Sequence, residues 1–198
     1  MNLNYGILSE GSSDLVALQI VIERLATELG HEFRLDSSAS IPMSGPVTPA
    51  GIKLRIDLFN TKNLDVGVIF ADKDDRTTSD KLTTVRDAIR SQNEEWLERT
   101  AIGIPDPHME AWAIADEGTL KRYLGIKGSD GLPFDRLDPK ERVANLTSNY
   151  GPVDLTPMIL IRHMAESMNL RIVKQHCQSF QDFCSSLQSA IAYVHRLS

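Results

Sequence analysis

One segment of the sequence, residues 64–75 (LDVGVIFADKDD), constrains the fold more than any other. Its residues 66–71 form an apolar run that is interrupted only by one glycine and is rich in β-branched side chains. Such a run is typical of a strand buried on both faces of a parallel sheet. Carboxylates follow at once, at Asp72, Asp74 and Asp75. Ligands of open parallel sheets bind beyond the carboxyl ends of the strands. We therefore expect these side chains to lie where chemistry takes place.

Two of these carboxylates are spaced to converge. Asp72 and Asp74 point to the same side of an extended backbone, because side chains alternate with a period of two. They repel each other unless a cation or a proton lies between them, and Mg²⁺ is a hard cation that suits such oxygen ligands. The alternative is a capping turn, because Asp75 and Thr77 can cap the helix that follows.

The first 124 residues alternate between strand and helix patterns. Strands are predicted at Leu3–Ser9, His31–Leu35, Leu64–Ala71 and Ala101–Ile104. Helices are predicted at 12–29, Ala50–Thr61, Thr78–Arg99 and about Met109–Ala115, with Tyr123 as an alternative end of the last. This order predicts an α/β fold in which helices flank a parallel four-stranded sheet.

The pattern changes after residue 124. A loop is expected at Gly125–Asp138, and no strand is predicted beyond it. Helices are predicted from Asp138 to Tyr150, from Thr156 to Met168, and at Ser179–Leu197. We therefore predict an α/β core over residues 1–124 and an all-helical C-terminal extension over residues 125–198 that packs on this core.

The composition limits the classes of partner. The formal net charge is -6, so phosphate must be attracted by a metal or by a local basic patch.

The first residues lack the pattern of a signal peptide, and no apolar stretch is long enough to span a bilayer. Cys177 and Cys184 lie about 10 Å apart along a predicted helix, which is too far for a disulfide. We expect a reduced, cytoplasmic protein without a membrane partner.

A second acidic motif gives the sequence a family resemblance. Glu10-Gly ends the first predicted strand, two βα units follow, and a strand then ends in the Asp-x-Asp of Asp72 and Asp74. This arrangement resembles the Toprim domain of topoisomerases, primases and the old-family nucleases. The segment Pro105–Asp116 (PDPHMEAWAIAD) is similar to small bacterial Toprim-like proteins, in which Glu-x-Trp follows the fourth strand. The resemblance covers roughly Asn2–Ala115.

The resemblance implies a reaction and roles for three residues. Asp72 and Asp74 would ligate Mg²⁺ (or Mn²⁺), and Glu10 would ligate a metal or act as a general acid/base. The metal would neutralise the phosphate and activate a water. The implied protein is a Mg²⁺-dependent nuclease or phosphotransferase that acts on the phosphodiesters of DNA or RNA. For Glu10, a plain strand-to-helix turn is the alternative.

Four further residues are candidates for the same site. Asp75 and Glu110 are candidate metal ligands, although Asp75 can be a cap and Glu110 can simply lie near a helix N-terminus. Lys73 and Arg76 are candidate phosphate-binding residues, with Arg suited to bidentate contact. Either can equally be a solvated counter-charge to a neighbouring Asp.

Three nearby residues are assigned structural roles. Asp14 is expected to complement the dipole of the first helix. His108 is interpreted as a turn residue, and Trp112 is expected to pack into the core.

A non-enzymatic function is the alternative. The chain would then be a Toprim-like regulatory or phage-defence subunit that binds a protein partner such as an ATPase. The sequence has neither a Gly-Lys-Ser/Thr loop nor Gly-x-Gly-x-x-Gly, so no nucleotide site is predicted within it. The negative charge and the absence of a basic stripe count against a strong nucleic-acid binder, whereas the carboxylates favour the enzyme.

Overall fold

Four parallel strands form one sheet in the centre of the molecule. The structure, a computed structural model, describes residues 2–43, 45–73, 77–128 and 131–197. The strands are β1 (Asn2–Leu8), β2 (Glu32–Leu35), β3 (Val66–Phe70) and β4 (Thr100–Gly103). They pair in the order β2-β1-β3-β4, and every pairing is parallel. The predicted α/β fold with a parallel four-stranded sheet is therefore confirmed.

Helices cover both faces of this sheet and form the C-terminal part of the chain. The described residues contain ten of them: α1 (Ser12–Glu28), α2 (Pro49–Thr61), α3 (Thr78–Gln92), α4 (Glu94–Arg99), α5 (Glu110–Ile114), α6 (Glu117–Leu124), α7 (Pro139–Tyr150), α8 (Pro157–Ser167), α9 (Leu170–His176) and α10 (Gln178–Leu197). Beyond residue 124 the described residues contain helices and no strand, as predicted.

The prediction of one long helix at Thr78–Arg99 is wrong, because the helix is interrupted at Asn93. This residue has an extended backbone with φ -160° and ψ 117°. Its side chain accepts a hydrogen bond from the Glu95 N–H (2.9 Å) and so begins a new helix, α4. Asn favours such caps because its short amide competes for backbone hydrogen bonds.

A second break lies at Asp116, so the alternative helix end at Tyr123 is also wrong. The Asp116 carboxylate accepts hydrogen bonds from Thr119 N–H (3.1 Å) at the start of α6 and from Asn169 N–H (2.7 Å). Asn169 in turn caps α9, a seven-residue helix that the sequence pattern did not predict. One buried carboxylate thus joins the starts of two helices.

We expect Asp116→Ala to lower the free energy of unfolding by about 1–3 kcal/mol at pH 7, because two backbone N–H groups lose their acceptor. Burial raises the pKa of Asp116, but hydrogen bonds from Asn169 and Thr119 outweigh it, so the net pKa is lowered. A lowered pKa means that this stabilisation is present above the unfolded pKa and is lost as the pH falls through the folded pKa.

Urea denaturation at pH 7 and below pH 4 measures this effect, and the difference from wild type should shrink in acid. Asp138→Ala removes the exposed cap of α7, whose carboxylate accepts a hydrogen bond from Lys140 N–H, and is the matched control. Its loss should be no more than about 1 kcal/mol. Equal losses in the two variants at both pH values would contradict the assignment.

The sheet separates two apolar layers. On one face, α1, α5, α7, α8 and α10 pack around Trp112, whose ring contacts Phe70, Phe180 and Phe183. On the other face, α2, α3 and α4 pack around Phe59 and its neighbours. The C-terminal helices therefore share one core with the sheet.

The single glycine of the β3 run has a steric explanation. A Cβ atom on Gly67 would lie 2.9 Å from ring atoms of Phe59. Real Cβ atoms do not approach so closely, so the aromatic ring of α2 occupies the space that a side chain would need.

Two further expectations concern the thiols and the membrane. Cys177 and Cys184 are free, as predicted, and burial raises the pKa of Cys184 to about 11. Among the described residues, no helix combines the length and the apolar character that crossing a bilayer requires.

Candidate carboxylate site

Glu10 lies just beyond the end of β1, and one of its two carboxylate oxygens is held by the protein. Its Oε1 accepts a hydrogen bond from the Val47 N–H (3.1 Å). The same oxygen lies 3.6 Å from Nζ of Lys81, a residue that is only 4% exposed. Both contacts involve Oε1, and no described residue forms a hydrogen bond to Oε2.

Asp72 follows β3, the neighbour of β1 in the sheet. Its Oδ2 lies 3.2 Å from Nδ1 of His108. The pKa of Asp72 is raised to about 6 by burial first and then by the negative charges of Glu10 and Asp14, while His108 opposes the shift. Burial and the neighbouring negative charges therefore favour the protonated form of this carboxyl group.

Asp14 belongs to the same environment. Its Oδ2 accepts a hydrogen bond from Gly11 N–H (3.0 Å), and it lies in the first turn of α1, where the sequence predicts that it complements the helix dipole. Burial and the charges of Glu110 and Glu10 nevertheless raise its pKa, against the Gly11 N–H and Lys140. A helix-dipole role alone predicts the opposite direction, so burial and the neighbouring carboxylates outweigh the dipole at Asp14.

We call Glu10, Asp14, Asp72 and Glu110 the carboxylate cluster. Its members repel one another across the carboxyl ends of β1 and β3 and the start of α5. Glu10, Asp14 and Asp72 each use one oxygen in the described contacts. The second oxygens would suit a hard cation, which takes oxygen ligands.

The cluster is not a formed coordination sphere. Within the described residues, no group of three or more His, Cys, Asp or Glu side chains is placed so that it could hold a metal ion. Of the predicted ligands, Glu10, Asp72 and Glu110 lie at this edge of the sheet. Asp74 and Asp75 lie outside the described residues.

The cations near the cluster only partly match the predictions. Lys73, a predicted phosphate-binding residue, forms an ion pair with Asp106, with Nζ 2.8 Å from Oδ1. Arg76, the other predicted phosphate-binding residue, lies outside the described residues. Lys81 was not predicted, although helical spacing places it on the same inward face as Val85 and Ala88.

A cleft of about 910 Å³ opens beside this edge of the sheet, between α5 and α6 on one side and α9 and α10 on the other. Asp106, the partner of Lys73, is part of its lining together with Thr78. The walls are partly apolar, with Ile114 and Ile172, and carry charges of both signs. The volume is within the range of ligand-binding clefts.

No protein-family model matches the chain, and no curated protein or solved structure matches it either. The function therefore has to be argued from the carboxylate cluster and its surroundings.

Proposed function

We propose that the protein is a Mg²⁺-dependent (or Mn²⁺-dependent) nuclease or related phosphotransferase with a Toprim-like fold, acting on nucleic-acid phosphodiesters in the cytoplasm. The observation that carries the proposal is the mutual repulsion of the carboxylates at the ends of β1 and β3, which contributes to raising the pKa of Asp72 to about 6. Placing these partly buried carboxylates close together raises the electrostatic free energy of the folded protein. A bound divalent cation would offset this repulsion.

The chain offers defined ligands for such a cation. Glu10 and Asp72 would hold it through the oxygens that are not engaged by Val47 and His108. Asp14 and Glu110 stand beside them, and Asp74 and Asp75 remain predicted ligands. A bound Mg²⁺ would supply charge neutralisation of the phosphate and activation of a water.

The remaining residues would position the ligands and the substrate. His108 orients the Asp72 carboxylate, and the Val47 N–H orients that of Glu10. Lys73 would contact phosphate by exchanging Asp106 for a substrate oxygen, with Arg76 as a second phosphate-binding residue. Because the net charge is -6, the metal would provide most of the attraction for the polyanion.

Calorimetric titration with Mn²⁺ tests this proposal. We expect wild-type protein to bind the ion and Glu10→Gln to weaken its affinity by at least about 10-fold, since even indirect partners of a metal site are worth 10–100-fold. Glu32→Gln, which removes an exposed carboxylate on β2 (65% side-chain exposure), is the matched control and should bind normally. Cleavage of single-stranded and duplex DNA and RNA, followed in the same buffers, should depend on Mn²⁺ and on Glu10.

A wild-type protein that binds no Mn²⁺ would rule out the proposed reaction. Binding that is equally weakened in both variants would mean that the ion is attracted by overall charge and not held by the cluster.

A non-catalytic, phage-defence or regulatory subunit is the second candidate. It is favoured by exposed apolar side chains that lie close together in sequence around the α7–α8 turn, namely Tyr150, Val153, Met158 and Ile159. Clustered apolar exposure is typical of protein–protein contacts. Under this hypothesis Val153→Asp would disrupt binding to a partner such as an ATPase, while Glu10→Gln would leave that binding unchanged.

A further inference from the structure

The described residues of the segment between β2 and α2, namely 36–43 and 45–48, form a wall beside Glu10. Its Ser40 hydroxyl accepts a hydrogen bond from the Ile7 N–H (3.0 Å), and its Met43 N–H donates to the Ser9 carbonyl (2.8 Å). The segment therefore runs along the carboxyl end of β1, beyond the last residue of β2. Near its end, the N–H of Val47 donates a hydrogen bond to Oε1 of Glu10.

Arg55 of α2 anchors this wall. Its guanidinium donates from Nη1 to the Ala39 carbonyl (3.3 Å) and from Nη2 to the Ile41 carbonyl (2.7 Å). The planar fork of arginine suits two acceptors at fixed positions. The two carbonyls flank Ser40, so Arg55 holds the part of the segment that is attached to β1.

We propose that Arg55 is a positioning residue for the candidate metal site. It holds the β2–α2 segment in place, the segment presents the Val47 N–H to Oε1 of Glu10, and this contact directs Oε2 of Glu10 towards the carboxylate cluster. The inference rests on the proposed function, because it assigns a role to Arg55 only if Glu10 is a metal ligand.

A ligand with one oxygen fixed has a direct energetic advantage. Freezing a Glu side chain in one rotamer costs conformational entropy. If the Glu10 side chain is already ordered in the folded protein, this entropy is not lost again when the metal binds. Groups that orient a metal ligand are therefore worth about 10–100-fold in metal affinity.

We expect Arg55→Ala to weaken Mn²⁺ binding by about 10-fold or more, measured by calorimetry. Arg55→Lys should lie between this variant and wild type, because an ammonium group cannot bridge both carbonyls in the same way.

The chain contains a matched control in Arg24 of α1. Its guanidinium also donates to two backbone carbonyls, those of Ala165 and Met168, and burial lowers the pKa of Arg24 as it does that of Arg55. Arg24 lies about 18 Å along α1 from Ser12, the first residue of that helix. Arg24→Ala should therefore leave the Mn²⁺ affinity unchanged, and an equal loss in both variants would overturn the inference.

A double-mutant cycle separates positioning from a general structural effect. In a Glu10→Gln background, Arg55→Ala should cause no further loss of Mn²⁺ affinity, because both changes act on the same ligand. Additive losses would overturn the inference.

Hydrogen exchange at the Val47 amide supplies a readout without metal. Arg55→Ala should accelerate this exchange, and Arg24→Ala should not. If wild-type protein binds no Mn²⁺, the proposed function fails and the metal-site role of Arg55 fails with it. Faster exchange would in that case retain Arg55 as the anchor of the segment on Glu10, whereas unchanged exchange would overturn the anchoring as well.

Discussion

Replacing Asp72 with asparagine should abolish metal-dependent cleavage and, at the same time, make the metal-free protein more stable. The loss of activity should be about 100-fold or more, because a lost ligand should cost more than a lost neighbour of a ligand, which costs 10–100-fold. The gain in stability follows from removing a charge that is unfavourable because it is largely buried and because it is repelled by Glu10 and Asp14. Opposite signs for the two effects are the signature of a site in which repulsion is retained for function.

The pH dependence of this effect has a defined direction. Because the pKa of Asp72 is raised to about 6, the folded state binds more protons than the unfolded state between about pH 4 and pH 6. The contribution of Asp72 to the stability of the wild-type protein should therefore fall as the pH rises through this window. The difference between Asp72→Asn and wild type should be on the order of 1–2 kcal/mol at pH 8, after a discount for partial exposure. It should vanish below about pH 4.

Urea denaturation in EDTA at pH 4 and pH 8 measures the stability, and cleavage assays with Mg²⁺ measure the activity. Asp65→Asn is the control, because Asp65 lies at the opposite end of the same strand and accepts a hydrogen bond from Asn4 N–H (2.7 Å). This variant should keep its activity and gain no stability. A metal-free Asp72→Asn protein that is less stable than wild type at pH 8 would contradict the repulsion on which the proposal depends.

The sheet could be predicted because its signals are local. An apolar run predicts a buried strand when it is rich in β-branched residues, has the length of a strand and is bounded by polar residues. The alternation with helical patterns then determines that the strands are parallel. The same reasoning places Glu10 and Asp72 at one edge of the sheet, and the structure adds that β1 and β3 are neighbours in it.

The two helix breaks could not be predicted because periodicity continues through them. Val85, Ile89 and Trp96 are spaced by four and seven residues, as in one continuous helix, and all three are buried although Asn93 interrupts the backbone. At Asp116 the carboxylate accepts the local Thr119 N–H and also the N–H of Asn169, which is 53 residues away along the chain. Contacts of this range leave no periodic signal.

Part of the site was missed for the same reason. The helix-dipole role predicted for Asp14 is local and does not indicate its proximity to Glu110 and Asp72. The contact between the Val47 N–H and Glu10 links residues 37 positions apart. Lys81 is different, because helical spacing within the sequence places it on the same inward face of α3 as Val85 and Ala88 and could have indicated its burial.

Trp112→Ala should cause the largest loss of stability, about 3–5 kcal/mol. The indole ring is fully buried, with ring centroids 5.1 Å from Phe70, 4.9 Å from Phe180 and 5.3 Å from Phe183. Its Nε1–H donates to Oγ of Ser179 (3.0 Å). One side chain thus joins β3 to α10, and its removal leaves a cavity between the sheet and the C-terminal helices.

Urea denaturation can follow this variant with two probes. Fluorescence would report on Trp96, the remaining tryptophan, which packs on the other face of the sheet against Phe59. Far-UV circular dichroism would report on the helices. The two transitions should coincide at a lower urea concentration, because residues 125–198 share one core with the sheet.

Ser179→Ala separates the hydrogen bond from the packing. It leaves the Trp112 and Asp106 N–H groups without their acceptor and should cost about 1–3 kcal/mol, less than the loss of the ring. Two separate transitions in Trp112→Ala would mean that the C-terminal helices fold independently of the sheet. A single transition would mean that α9 and α10, which form one wall of the cleft beside Asp106, unfold together with the sheet.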